Sequence, residues 1–479
     1  MAEQTHKVIV VGGGITGLSS AYYLQKLAIE QGLAIDITVI EAAHRLGGKI
    51  QTLQKDGFVI ERGPDSFVSR KNSIQQLAKE LAIEDQLIQS APGTTKVAVE
   101  NELYSIPAGS VMGVPTNFGS FLASGISSWS GKARAMGDFF LPTTTSAEDQ
   151  PLGPFLRRRF GNELVENLIE PLFSGVFAGD IDRLSIKSTF PELLEVGEQQ
   201  RSLIRGLKKN QVANYRAFDT EKTGIFQTFS NGIETLVQTL EKELHTCTIL
   251  KGIKVEKLVQ KGKQVELRLN NEASMIADSV IFALPHAKLM PIFEPLGLLK
   301  GLKDMPSTSI ATVSIAFPEG AVKNPKDCTG FVVARNSDFT ITACSAAHLK
   351  WPTLIPPGKA LYRSFIGRVG DEAVVELSDG EIVKAVLEDL HKLMDIQEEP
   401  EFTIVSRWKE AMPQYLVGHG ERIAAAKNEV QDALPMVQIA GGSFEGFGLP
   451  ACVDQGKAAA KLLLERFVAE SLSMEGTAK

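Results

Sequence analysis

The chain opens on an apolar run, Lys7 to Val11, then a group of glycines, then a stretch from Ile15 to Leu27 whose apolar residues recur at helical spacing. A second apolar run, Ile37 to Ile40, ends at Glu41 after a short turn around Gln31 and Gly32. This order predicts a strand-helix-strand unit with parallel strands. From Leu81 to Arg205 no alternation is sustained, and helix-like pieces such as Glu163 to Leu172 predict a mostly helical insertion. Ile253 to Leu269 and Thr308 to Ala316 alternate apolar and polar residues, which predicts strands of a mixed sheet with one wet face. Ala277 to Pro285 and Met436 to Ala440 are apolar runs that read as strands returning to the first sheet. The second leads into Gly441, Gly442 and an amphipathic helix, Ala458 to Val468, with a helix start expected near Ala451.

At ~150 residues per domain, 479 residues imply about three domains. Apolar residues at 43% and charged residues at 22% place the chain among folded globular proteins. A net charge of -7 argues against a nucleic-acid partner. Cys247, Cys328, Cys344 and Cys452 include no pair at two-residue spacing, and no His-Glu-x-x-His run occurs, so no metal is expected. No charged-then-apolar leader precedes the first strand, and no apolar stretch nears the roughly 20 residues of a spanning helix, so the cytoplasm is the expected address. The basic run Arg157 to Arg159 reads as a solvated helix face.

Chemistry enters with Gly12, Gly14 and Gly17, which fit GxGxxG between a strand and a helix. The first glycine allows the tight turn, the second lets backbone approach a diphosphate, and the third lets helix and strand pack closely. Gly13, Ile15 and Thr16 complete a loop whose amides face the phosphates at a helix N-terminus. Glu41 ends the second strand, where a carboxylate accepts ribose hydroxyls and disfavours a 2′-phosphate.

Glu41-Ala42-Ala43-His44-Arg45-Leu46-Gly47-Gly48-Lys49, followed by Glu61-Arg62-Gly63-Pro64, resembles the amine-oxidase-like flavoprotein superfamily, as does Gly442-Ser443 with Glu445-Gly446-Phe447-Gly448-Leu449-Pro450. That resemblance implies FAD, with the paired glycines beside the second phosphate, their basic neighbours offsetting its charge, and the final helix aimed at the flavin's pyrimidine edge. The implied fold is α/β: a doubly wound, Rossmann-like FAD domain (1–66, 224–286 and 430–479), a mixed-sheet substrate domain (67–96, 207–223 and 287–429) and a helical insertion (97–206). Superfamily members with covalent flavin carry a cysteine where this chain reads Ala411-Met412-Pro413-Gln414-Tyr415, so the FAD is expected to be noncovalent. Cys452 is expected to be a packed thiol.

Glu61 to Phe67, Gly175-Val176-Phe177-Ala178-Gly179-Asp180, Met412 to Tyr415 with Gly418-His419, and Gly442 to Gly446 together resemble the porphyrinogen oxidases, most closely their soluble Gram-positive branch. By that resemblance the cofactor contacts fall on Gly12 to Gly17, Glu41, Ala42, Gly48, Lys49, Gly63, Pro64, Asp65, Ser66, Val255, Trp408, Gly442, Phe447, Gly448 and Leu449. The substrate cavity would include Gly175, Phe331 and Val332, and Arg70 and Lys71 would meet substrate carboxylates, with Arg183 and Lys187 as further candidates. The implied reaction is oxygen-dependent oxidation of coproporphyrinogen III to coproporphyrin III with release of hydrogen peroxide, in haem biosynthesis. Hydride leaves a bridge between pyrroles that stabilise the developing cation, so no obligate general base is assigned. The resemblance extends to hand-over of product to a ferrochelatase and, at most, peripheral membrane contact through the insertion. Competing readings are a protoporphyrinogen IX oxidase, an amine oxidase or carotenoid desaturase on the same fold, and a porphyrin carrier without turnover.

Overall fold

The computed structural model describes residues 5–143, 148–215, 224–323 and 328–477; part of the stretch 207–223, assigned above to a substrate domain, therefore lies outside the described residues. The opening unit forms as expected: β1 (His6–Val11), α1 (Ile15–Gln31) and β2 (Ile35–Glu41). β1 is the central strand of a five-stranded sheet ordered Thr248–Lys251, β2, β1, Ser279–Phe282, Val437–Ile439. Every pairing in it is parallel. The chain leaves β1 to one side and returns on the other only after residue 278, so strand order reverses at β1. The crevice beyond its C-terminal end is where open α/β sheets bind ligands.

Two apolar layers cover this sheet. On one face Leu18 and Leu24 of α1 pack with Leu463 and Leu464 of the final helix, Leu449–Thr477. The two helices meet closely at Gly456, where a Cβ would lie 2.5 Å from the Thr16 carbonyl oxygen. On the other face helices His286–Phe293 and His419–Ala433 bury Leu289, Ile292, Ile423 and Val430 against Ile9, Val11 and Phe282. Both ends of the stretch 287–429 are thus built into the first sheet's core, which differs from the sequence reading, because the apolar stripes of these helices match that sheet face.

A seven-stranded sheet runs Phe402–Pro413, Ser307–Pro318, Lys359–Ile366, Ile341–Ala346, Cys328–Val333, Thr94–Val99, Glu102–Ser105. It is mixed, since Cys328–Val333 pairs in parallel with Thr94–Val99 and its other pairings are antiparallel. Two expectations are corrected here. The mostly helical insertion (97–206) opens on strand: residues 97–99 end strand Thr94–Val99, whose parallel partner Cys328–Val333 lies more than 200 residues away, and Glu102–Ser105 returns along Thr94–Val99 as a hairpin. Val255–Lys261, Gln264–Leu269 and Ser274–Ala277 make a separate antiparallel sheet rather than joining the mixed one. Alternation assigns the faces of the seven-stranded sheet: Val313, Phe331, Val333 and Tyr362 lie under helix Asp379–Leu393, and the intervening residues face the other way.

Helices dominate the insertion from Phe118 onward and form their own core around Leu156, Phe160, Leu168 and Phe173. The basic run there is not uniformly solvated. Arg159 is 3% exposed and pairs with the fully buried Asp138 at 2.9 Å, whose other oxygen accepts from Ser202 Oγ and the Ile204 amide. A buried charge is tolerated because each partner is satisfied. No helix among the described residues is long and apolar enough to cross a membrane.

Candidate cofactor and substrate site

The glycine turn after β1 is built by contacts that leave no room for side chains at Gly12 and Gly17. Gly12 has φ +109°, and a Cβ there would lie 2.5 Å from the Ala283 carbonyl oxygen. Glu41 folds back over the turn: Oε2 accepts from the Gly13 amide at 2.6 Å and Oε1 from the Ala43 amide at 2.7 Å. A carboxylate accepts about four hydrogen bonds, so capacity remains for ribose hydroxyls. The Gly47 amide donates to Gly13 O at 2.8 Å, and Gly14 bridges to Gly47, so the two glycine segments lie side by side. Around the Cβ direction of Gly14 no protein atom lies within 4 Å, and no side chain caps α1 there. Free first-turn amides beside open space suit a diphosphate.

Val255 arrives beside this turn because the Gly252 amide donates to Ala43 O and the Ile253 amide to Glu41 O. Its side chain is 4% exposed and packs in the core, which leaves only backbone to face an adenine. The basic residues of the second glycine segment donate to protein carbonyls. Arg45 reaches loop carbonyls, Leu46 O at 3.0 Å, Ile50 O at 2.9 Å and Gly48 O at 2.5 Å. Lys49 Nζ donates to Ala411 O on strand Phe402–Pro413. Burial, partly offset by nearby Cys452, holds its ammonium below the usual lysine range.

Gly63 sits where a Cβ would collide with the Lys49 carbonyl and meet the Trp408 ring at 3.5 Å. Trp408 Nε1 in turn donates to Arg62 O at 2.7 Å. One residue before this segment, Glu61 is 6% exposed. Burial outweighs its hydrogen bonds from the Ile233 amide and Thr52 and raises its carboxyl from the ordinary 4.5 to about 7. The folded state therefore holds this proton more tightly than the unfolded chain. Stability is complete at low pH and falls as pH rises from about 4.5 through about 7, by at most roughly 3 kcal/mol. Glu61→Gln is expected to flatten that slope in urea denaturation curves of FAD-saturated protein across this range. A parallel slope in the variant would refute the assignment.

The C-terminal glycine segment is held by a clamp that sequence reasoning missed. Tyr415 Oη donates to Gly442 O at 2.7 Å and accepts from the Gly446 amide at 2.9 Å. Its ring stacks on His419 at 4.0 Å and meets Phe177 and Phe447 edge-on. His419 Nε2 bonds Phe444 O at 2.8 Å, and His286 spans Ser443 Oγ and Met305 O. Burial holds both imidazoles below the usual histidine range. Gln455 ties Gly441 N to Gly446 O. Tyr415 and His419 stand in motifs already noted, but nothing in the sequence marks His286 or Gln455 as their partners. The clamp presents Gly442, Phe447 and Gly448 ahead of Leu449, where the final helix begins two residues before the expected start. Cys452 in its first turn is buried, and burial pushes its thiol up.

On the substrate side, Gly175 and Val332 are brought together: a Cβ at Gly175 would meet Val332 Cγ1 at 3.7 Å. Phe331 is not part of that wall. It is 3% exposed and points to the opposite face of the sheet, into the core under helix Asp379–Leu393, because neighbouring residues of a strand alternate. Arg70 and Lys71 are exposed on the turn between strand Phe67–Val68 and helix Ser73–Glu80. Asp65 is engaged by Lys350 at 3.3 Å. Arg183 lines a separate cavity of about 180 Å³ together with Asp180, Glu372 and Gln414, and those carboxylates disfavour an anionic guest.

The family of flavin containing amine oxidoreductases matches residues 15–464. A coproporphyrinogen III oxidase of Bacillus subtilis (strain 168) is 48% identical over 96% of this chain and 98% of its own length. One from Staphylococcus aureus (strain NCTC 8325 / PS 47) is 40% identical over 95% and 98%. Among solved structures, a protein from Exiguobacterium sp. 255-15 superposes with TM-score 0.87 at 33% identity, covering 96% of this chain and 99% of that one. A cyclohexylamine oxidase from Brevibacterium oxydans IH-35A, at TM-score 0.70 and 18% identity over 96% and 99%, shares the fold.

Proposed function

The chain belongs to the flavin containing amine oxidoreductases, and from that premise we propose that it is an oxygen-dependent FAD enzyme oxidising coproporphyrinogen III to coproporphyrin III. The observation that carries this reading is the 48% identity to the Bacillus enzyme over nearly the full length of both proteins. The open space at Gly14, the remaining capacity of Glu41 and the uncapped start of α1 fit FAD, which when bound supplies the hydride acceptor and is regenerated by dioxygen with hydrogen peroxide as product.

The residues divide the work by position. Amides of Gly14 to Gly17 bind the diphosphate and Glu41 orients a ribose. Backbone at Val255 borders the adenine, while Gly63 to Ser66, Trp408, Gly442 and Phe447 to Leu449 shape the ring site. Lys49 stands at the isoalloxazine end beside Ala411. Gly175 and Val332 supply an apolar wall that excludes water from the bridge carbon, and seating that carbon is the chain's main contribution to rate. Arg70 and Lys71, exposed cations on a neighbouring turn, meet the propionates. Turnover in the cytoplasm, with product passed to a ferrochelatase, completes the proposal.

The decisive experiment gives holoprotein coproporphyrinogen III and protoporphyrinogen IX separately, without oxygen, and follows bleaching of the flavin. Faster bleaching by the tetracarboxylate is expected. Equal or reversed rates would move the assignment to protoporphyrinogen, and no bleaching by either would leave a carrier.

A further inference from the structure

The segment Arg62 to Ser66 is gripped by side chains of the seven-stranded sheet and of the short helix Ala347–Lys350 that follows one of its strands, and of these only Trp408 is singled out by the family resemblance. Arg62 O accepts from Thr312 Oγ1 at 3.2 Å and from Trp408 Nε1. Arg363, 4% exposed, donates to Gly63 O and stands 3.8 Å from Asp65. Lys350 Nζ lies 3.3 Å from Asp65 Oδ2 and 3.2 Å from Ser66 Oγ, and Ser66 Oγ donates to Asp65 Oδ1 at 2.7 Å. The Lys350 ammonium is itself fixed over the rings of Phe226 and Trp351.

The carboxylate of Asp65 is the centre of this arrangement. Burial would raise its pKa, yet Lys350, Arg363 and Ser66 bring it down to about 2. A buried ion pair adds little net stability, because desolvation consumes most of its attraction, but it is exacting about position. The Asp65 side chain is 25% exposed and is met by two cations, Arg363 from the sheet and Lys350 from the short helix Ala347–Lys350 beside it, so the place of residues 63–66 is tied to both. Arg363 lies opposite Ser314 and Ser345 on adjacent strands, and Val332 belongs to the same sheet.

We propose that Lys350 and Arg363 are positioning residues that hold Gly63 to Ser66 against the flavin through Asp65, so that the substrate wall and the cofactor segment move as one body. This rests on the flavin reading above. The test compares Lys350→Met, Lys350→Arg and the double variant Asp65→Asn/Lys350→Met with wild type, using FAD titration of the deflavo protein and the shape of the flavin absorbance band. Lys350→Met is expected to raise the FAD dissociation constant about ten-fold and blur the band, while Lys350→Arg stays within about two-fold of wild type. The double variant, which removes the stranded charge, should bind FAD more tightly than Lys350→Met alone, and it serves if the single variant does not fold. Wild-type affinity and band shape in Lys350→Met, or an arginine variant no better than methionine, would overturn the proposal. Failure of the wild-type deflavo protein to take up FAD would instead overturn the reading beneath it.

Discussion

Gly17→Ala is expected to give a colourless protein, with FAD binding weakened by on the order of 100-fold or more and folding stability reduced by about 3 kcal/mol. The added methyl group would overlap the carbonyl oxygen of Gly12 and crowd Ala283 Cβ at 3.3 Å. Gly12 directly follows β1 and Ala283 directly follows its neighbour Ser279–Phe282, with the Ala283 amide bonded to Val11 O, so neither can retreat without disturbing β1. Gly14→Ala provides the contrast. Its φ of -74° suits alanine and no protein atom lies within 4 Å of the new methyl group. The deflavo protein should therefore unfold within about 0.5 kcal/mol of wild type, while FAD affinity falls at least about ten-fold because the methyl group occupies the ligand's space. Thermal denaturation of the deflavo proteins and FAD titration separate the two effects. Unchanged affinity in Gly14→Ala would show that no phosphate lies there.

Tyr415→Ala is expected to cost about 3–5 kcal/mol, as for other large aromatic truncations in a core. The side chain is 2% exposed and fills the space among Phe177, His419 and Phe447. Its loss also strands the Gly442 carbonyl and the Gly446 amide. Tyr415→Phe keeps the packing and removes only the hydroxyl, so roughly 1–3 kcal/mol is expected. In the phenylalanine variant FAD affinity should drop by about ten-fold while the protein remains folded at room temperature. Melting curves with and without FAD distinguish packing from loop placement: a phenylalanine variant indistinguishable from wild type in both would deny the hydroxyl any hold on the glycine segment.

The parts of the fold that were legible are those whose determinants are local. The glycines after β1 and Glu41 at the end of β2 act over a few residues, and the structure follows them; Thr308 to Ala316 do form a strand, but Ala311 to Phe317 are buried on both faces, so the wet face their alternation predicts is not there. Strand Thr94–Val99 was not legible, because it joins the sheet through a partner distant in sequence, and Glu102–Ser105 is a strand only as the hairpin partner of Thr94–Val99. The same distance hides Asp65 with Lys350, 285 residues apart, and the clamp of Tyr415, His419 and His286 on the last glycine segment. Phe331 and Val332 differ by a single step along one strand. Motif resemblance located the strand, but which of the two faces the cavity is decided by register, a property of the assembled sheet.

The central sheet takes one of its edge strands from Val437–Ile439, and the helix that covers α1 begins only at Leu449. Every upstream glycine of the dinucleotide turn leaves the ribosome long before these pieces exist. Flavin capture must therefore follow synthesis of nearly all the described chain, and a nascent polypeptide stalled before residue 437 would carry the complete fingerprint yet emerge without colour.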